Sequence, residues 1–328
     1  MNRKVAVAPM MDCTDKHERY FLRLISKNIL LFTEMIVSEA IDRGNRQKLL
    51  SFNLEEKPVA LQLGGSSPKL LSNAAKIGEE FGYDEINLNL GCPSKKVQKN
   101  KFGACLIKEP KLVADCLSEM QSKTKLPVTV KTRIGYDQVE DYDHLYNFID
   151  LLKSTGVKTF IIHARKAMLG KFTPKQNLNI PPLKYEMVYK LKKDFKDLEI
   201  IINGGVASTD QVKEHLNKVD GVMIGRSIYH SPYMLADIER EIFNNDNVLT
   251  RVEVMEQMLP YIKQETKKGT RLNKIMRHTV GLFHGQRGSS YWKRYLSENM
   301  CIREADLQKV NHIMDHIKNN SNTASLGR

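Results

Sequence analysis

A chain of 328 residues, 41% apolar and 27% charged, is long enough to bury the core of one large barrel or of two ordinary domains. It contains no run of about 18 apolar residues, which excludes a membrane-spanning helix. The opening MNRKVAVAPMMDC breaks its apolar run at Asp12, making a poor secretory signal and a good first strand; cytoplasm is the expected compartment. Five cysteines (Cys13, Cys92, Cys105, Cys116, Cys301), odd in number and without C-x-x-C spacing, argue against a disulfide framework and against a metal site. The net charge is +13, and residues 251–328 hold 14 Lys/Arg against 7 Asp/Glu, so half the excess sits in the last quarter. A basic face for a polyanion is one source of that excess, and a lysine-rich composition bias is the other.

Short β-branched runs predict eight strands: 5–10, 30–37, 58–63, 85–90, 127–132, 159–164, 199–204 and 221–226. Between most of them lie segments of helical period, at 15–27, 68–80, 109–121, 142–153, 184–194 and 208–217, several opened by capping residues. Strand–helix alternation eight times over predicts an α/β fold of the (β/α)8 TIM-barrel type. Beyond residue 247 the strand signal ends. Residues 251–268, 271–287 and 303–318 read as amphipathic helices, broken at Gly269 and in GQRGSS (285–290). The expected domains are a barrel over 1–246, a small all-helical domain over 247–320 and a disordered tail over 321–328.

Polar residues stand at the predicted strand ends: Pro9-Met10-Met11, Glu34, Gln62, Asn89, Lys131, His163, Asn203 and Arg226. Buried polar groups without partners are costly, and the C-terminal strand ends form the catalytic face of a barrel. The loops INGGV (202–206) and GVMIGRSIY (221–229) end the last two strands, where glycines let backbone N–H groups approach a phosphate and Arg226 adds a fixed charge. A sugar phosphate and flavin mononucleotide (FMN) both suit such a site. Gln62 offers an amide for the pyrimidine edge of a flavin and Lys131 a cation for its N1–C2=O side, and VAPM offers a flat apolar surface. His163, in HARKA, reads as a flavin or substrate contact.

Residues 85–96, EINLNLGCPSKK, place two amides, a thiol and a proline where a strand stops. A free thiol with a pKa of about 8.5 is mostly protonated at neutral pH and can donate a proton to a polarised double bond. Cys105, in FGACLI, is the rival; its flanks read as packing, so Cys92 is preferred. Asn89 points to the site by the two-residue period and can meet a base edge or the flavin.

Taken together, VAPMMDCTD, TEMIVSEAI, PVALQLGGS, YDEINLNLGCPS, FGACL, PVTVKTRIG, FIIHARKA, IPPL, INGG, DGVMIGR and WKRYLSENM resemble the tRNA-dihydrouridine synthases, and within them the A-type members acting on D-loop positions 20 and 20a. The resemblance runs from about residue 5 to residue 300. It implies an FMN-binding barrel with Pro9, Met10, Met11, Gln62, Lys131, His163, Asn203, Gly204, Gly205, Gly225 and Arg226 on the cofactor, Cys92 as proton donor and Asn89 on the target nucleotide. The A-type RNA-facing loop SPKENREIPPL corresponds here to TPKQNLNIPPL, with Lys175 and Asn177 kept and Leu178 in place of Arg.

The implied reaction is reduction of uridine C5=C6 in tRNA, with hydride from flavin N5 to C6, a proton from Cys92 to C5, and NADPH as reductant. A uridine must leave its stack to reach a barrel mouth, at a few kcal/mol. The basic helical domain is expected to offset this through phosphate contacts by Arg277, Lys293 and Arg294, with His278 and Arg287 as further candidates. Tyr291 and Trp292 are expected in the core rather than stacked on a base. The expected partner is the D-loop and elbow of tRNA, with no obligate protein partner. The rival readings are an ene-reductase or dihydroorotate-type FMN barrel acting on a free small molecule, and a non-catalytic RNA-binding protein.

Overall fold

The computed structural model describes residues 1–300 and 307–322. Among them, nine strands form a single parallel sheet: β1 (Val5–Val7), β2 (Leu31–Phe32), β3 (Ile36–Val37), β4 (Val59–Gly64), β5 (Glu85–Leu90), β6 (Val128–Arg133), β7 (Thr159–His163), β8 (Glu199–Asn203) and β9 (Gly221–Ile224). The order β1-β9-β8-β7-β6-β5-β4-β2 closes through a parallel bridge between Ala6 and Leu30. All eight predicted strand regions are present. The run 30–37 is divided, because three residues separate Phe32 from Ile36 whereas only two separate their partners Ala60 and Leu63. One extra residue makes a bulge. Thr33 bridges it: its Oγ1 accepts the Gln62 N–H at 3.0 Å, and its own N–H donates to Ala60 O at 2.9 Å.

Alternation along the strands builds the barrel interior. Ala6, Ala8, Leu30, Phe32, Ala60, Ile161, Ile201 and Met223 form one buried apolar cluster. Elsewhere the interior is polar: Glu85, Asn87 and Thr129 are 0%, 0% and 1% exposed. At the floor, where β5 and β8 begin, Arg3 reaches Glu85 at 2.7 Å and Glu199 at 2.9 Å. Thr159 Oγ1 donates to Glu199 at 2.7 Å.

The chain divides into two compact units, Met1–Thr14 with Ile29–Gly225, and Asp15–Asn28 with the chain from Arg226 onward. This moves the sequence boundary from 246/247 to 225/226 and takes helix Lys16–Ile25 into the helical unit. The reason is specific pairing. His17 Nδ1 lies 2.7 Å from Tyr261 Oη, Tyr20 stacks on Tyr261 at 3.9 Å, and Lys16 reaches Glu265 at 2.6 Å. The Glu239 carboxylate receives Ser26 Oγ and the Asn28 N–H.

The helical unit contains Met234–Phe243, Arg251–Lys267, Leu272–Met276, Ser289–Asn299 and Leu307–Asn322. Gly269, Gly285 and Gly288 take positive φ at the expected breaks. The region 271–287, expected as one helix, is helical only to Met276 and continues as a 3₁₀ turn, Arg277–Thr279. Trp292 is fully buried, with its indole N–H on Thr279 O at 3.0 Å, so it is core as expected. Cys301, residues 303–306 of the expected last helix and residues 323–328 of the expected tail lie outside the described residues; Asn322 ends a helix.

Candidate active site

The βα loops at the strand C-termini bring most of the expected residues together. Register sets Asn89 opposite Lys131, and His163 between Arg133 and Asn203. The Lys131 ammonium donates to Asn203 Oδ1 at 3.0 Å, and Asn203 Nδ2 donates to Met223 O at 2.8 Å. Gln62 Oε1 accepts from Asn89 Nδ2 at 2.8 Å. His163 and Asn203 are 6% and 7% exposed.

Beyond β8, Gly204 and Gly205 take φ of 118° and 76°, and a Cβ on Gly204 would lie 2.7 Å from His163 Cδ2. A side chain there would displace the histidine. Tyr185 Oη fixes this turn by donating to Gly204 O at 2.7 Å. After β1, Met10 N–H bonds to Thr14 Oγ1 at 3.0 Å, Pro9 and Met10 are half-buried, and Met11 is 56% exposed. A Cβ on Gly225 would lie 3.5 Å from both Ala8 Cβ and Met10 Sδ. Arg226, the next residue, opens helix Arg226–His230 of the helical unit.

Cys92 sits in the loop after β5. Its N–H donates to Asn89 Oδ1 at 3.0 Å and its carbonyl accepts the Ala104 N–H at 3.0 Å. Burial pushes the thiol pKa up, and the Ser94 N–H together with Arg133 and Lys131 pulls it back only in part. The group therefore stays protonated at neutral pH, as a proton donor must. Cys105 is also raised by burial, but its Sγ donates to Phe102 O at 3.1 Å, within its own turn.

Lys131 is driven the opposite way. Burial, then the positive charge of Arg133, lowers its pKa to about 7, with Cys92 opposing. Because the unfolded lysine keeps its ordinary value, the folded state binds fewer protons between about pH 7 and pH 10. Stability should therefore rise with pH across that window. Urea melts of flavin-free protein should show a gain from pH 7 to pH 9 that Lys131→Met lacks; equal profiles would remove Lys131 as the titrating group.

Two features escaped the sequence reading. Arg133, 3% exposed, donates from Nε to Gly91 O at 2.8 Å and from Nη1 to Lys166 O at 3.0 Å and Asn177 O at 3.3 Å. It ties the Cys92 loop to the loop after β7. Period two places it on the same side as Lys131, and that signal was available. The second feature is the segment Ser94–Lys101. Lys95, Lys96, Lys99 and Lys101 are exposed and, among the described residues, in no ion pair, while no acidic residue occurs from 86 to 108.

Two expected RNA contacts, Asn177 and Arg277, are corrected. Asn177 is fully buried; its Oδ1 accepts the Met168 N–H at 2.7 Å and its Nδ2 donates to Met168, Phe172 and Thr173 carbonyls. It organises the loop over 168–177 and is not exposed to a nucleic acid. Lys175 is exposed. In the helical unit Lys293 and Arg294 are exposed, whereas Arg277 is held by Asp15 at 2.7 Å, so its charge is already neutralised.

This donor set fits FMN. It offers amides for hydrogen bonding, a half-buried ammonium, and a turn at Gly204 and Gly205 whose positive φ and close neighbours only glycine accommodates. Among the described residues no group of His, Cys, Asp and Glu could hold a metal ion, and no helix is long and apolar enough to cross a membrane.

Comparison with known proteins agrees. Residues 6–320 match the dihydrouridine synthase (Dus) family. A protein named tRNA-dihydrouridine(20/20a) synthase from Synechocystis sp. is 51% identical over 92% of this chain and 90% of its own length. Proteins of the same name from Shewanella oneidensis and Escherichia coli are 51% and 50% identical, over 94% and 95% of this chain and 92% and 90% of their own lengths. Among solved structures, a 2-naphthoyl-CoA reductase complex superposes with a TM-score of 0.52 at 11% identity, over 74% of this chain and half of that one, which supports the fold alone. The chain belongs to the dihydrouridine synthase family, whose members are FMN-dependent oxidoreductases.

Proposed function

We propose that this protein reduces the C5=C6 bond of uridine in tRNA to 5,6-dihydrouridine at D-loop positions 20 and 20a, with FMN bound at the barrel mouth and NADPH as the electron source. The observation that carries this reading is the convergence of Gln62, Asn89, Lys131, His163 and Asn203 beside a loop whose thiol remains protonated. The hydride is what FMN supplies when bound. The protein's own groups do the rest. Gln62, Lys131, His163, Asn203 and the Gly204-Gly205 turn hold the cofactor, with Pro9, Met10, Met11, Gly225 and Arg226 completing its site. Asn89 orients the base, and Cys92 Sγ gives its proton to C5.

On the RNA side, Lys175, Lys293 and Arg294 are the contacts retained from the sequence reading, and the Lys95–Lys101 run joins them. Each phosphate contact steepens the salt dependence by about 0.7 to 0.9 in log–log slope. Replacing Lys95, Lys96, Lys99 and Lys101 with Ser should reduce the slope of tRNA binding by about 3 and raise KM, with kcat on saturating tRNA little changed. An unaltered slope would place the RNA elsewhere.

The overall reading is tested by mapping dihydrouridine in tRNA from cells lacking this protein and from the same cells after its restoration. Loss and recovery at positions 20 and 20a is the expected result. Unchanged modification would refer the site to a free small molecule.

A further inference from the structure

A directed row of hydrogen bonds crosses the barrel from floor to mouth. Arg3 Nε donates to Glu85 Oε2 at 2.7 Å. Glu85 Oε1 accepts from Thr129 Oγ1 at 2.6 Å, and Thr129 Oγ1 accepts from Asn87 Nδ2 at 2.8 Å. Asn87 Oδ1 accepts from Gln62 Nε2 at 2.8 Å, and Gln62 Oε1 accepts from Asn89 Nδ2 at 2.8 Å. Asn89 Oδ1 then accepts the N–H groups of Gly91 at 3.1 Å and Cys92 at 3.0 Å. Glu85, Asn87, Thr129 and Gln62 are at most 1% exposed, so water does not substitute for the links among them.

The two ends decide the direction of the row. An ionised carboxylate only accepts, and a backbone N–H only donates. Between them stand one hydroxyl and three amides, each able to donate and to accept. With an acceptor fixed at the floor and donors fixed at the mouth, only one orientation of every amide satisfies all links. Asn87 is fully buried, while the apolar cluster across the barrel uses Ile161, Ile201 and Met223. A polar side chain in that interior is costly unless each of its bonds is made, and relaying the direction is what those bonds accomplish.

We infer that Glu85, on the barrel floor, is a positioning residue: it sets which way the Gln62 and Asn89 amides face at the mouth and, through Asn89, holds the backbone of the Cys92 loop. The inference rests on the proposed function only in that these amides are the ones assigned there to cofactor and base.

Glu85→Gln keeps the shape and introduces a contradiction. The Arg3 donor claims the glutamine oxygen, so its NH2 turns to Thr129 Oγ1. The buried Thr129 proton has then lost its acceptor and regains one only if Asn87 turns its oxygen to it, which reverses each amide beyond until Asn89 offers NH2 to two N–H donors. In flavin-free protein, amide hydrogen exchange at Gly91 and Cys92 should accelerate at least tenfold relative to amides of β8 and β9, and the Kd for added FMN should rise about tenfold.

Thr129→Val cuts the row at the Glu85 Oε1 side and leaves the Arg3 bond to Glu85 Oε2 in place. Alone it should also accelerate exchange at Gly91 and Cys92; in its background Glu85→Gln should add less than twofold to either readout. A merely structural role for Glu85 gives the same increment in both backgrounds. That result overturns the inference, as does Gly91 and Cys92 exchange within twofold of wild type in both single variants. Exchange is read without flavin, reductant or tRNA. Its failure therefore leaves the proposed reaction standing, and failure of the reaction leaves it measurable.

Discussion

Cys92→Ala is expected to bind FMN and to keep the oxidation of reductant by oxygen, while dihydrouridine formation falls by about 10² to 10⁴, the usual worth of a positioned general acid. The separation follows from the contacts. The cofactor residues are carried by β4, β6, β7 and β8 and by the turns after β1, β8 and β9, whereas Cys92 is held to Asn89 of β5 through its backbone N–H, which an alanine retains. Only the proton is lost. Burial keeps that proton on the sulfur at neutral pH, so activity should not rise with pH as a thiolate nucleophile's would. The check is single-turnover reduction of tRNA uridine beside the visible spectrum of the bound flavin. Turnover at the wild-type rate would assign the proton to solvent or to Cys105, although the Cys105 thiol donates to Phe102 O.

The barrel was legible because its strands alternate with helices at a period that only a parallel sheet with crossovers satisfies. The mouth residues were legible for a related reason. Gln62, Asn89, Lys131, His163 and Asn203 are polar where packing would prefer otherwise, and they fall at equivalent strand ends. What the alternation does not carry is pairing between distant segments. Helix Lys16–Ile25 follows β1 in the chain, yet its partners are Tyr261, Glu265 and Asp15's neighbour Arg277, some 250 residues on, so its membership of the helical unit had no local signal. Asn177 failed differently. Composition does not distinguish an asparagine that faces solvent from one that closes its own loop with four backbone bonds. Asn87 was noticed as one of the two amides of EINLNL, but its partner was not: Thr129, a polar residue in mid-strand, reads as outward until the neighbouring strand supplies its bond.

Arg3→Ala should cost about 3 to 5 kcal/mol of stability at neutral pH, the price of leaving a buried carboxylate without its partner. Glu85 is fully buried, and besides Arg3 its carboxylate has Thr129 as a donor. Burial already raises its pKa, with Arg3 the largest opposing influence, so removing the guanidinium raises it further. The sign follows. A carboxyl whose folded pKa lies above its unfolded value penalises the folded state at high pH and is relieved as pH falls through the folded value. The deficit of Arg3→Ala should therefore shrink between pH 7 and pH 5, measured by urea unfolding against wild type at each pH. Arg3→Lys keeps a charge but cannot span Glu85 and Glu199 with a fork, and should fall between the two. A deficit under about 1 kcal/mol that ignores pH would mean that Glu85 is held by Thr129 alone, and that the N-terminal segment is not what closes the barrel floor.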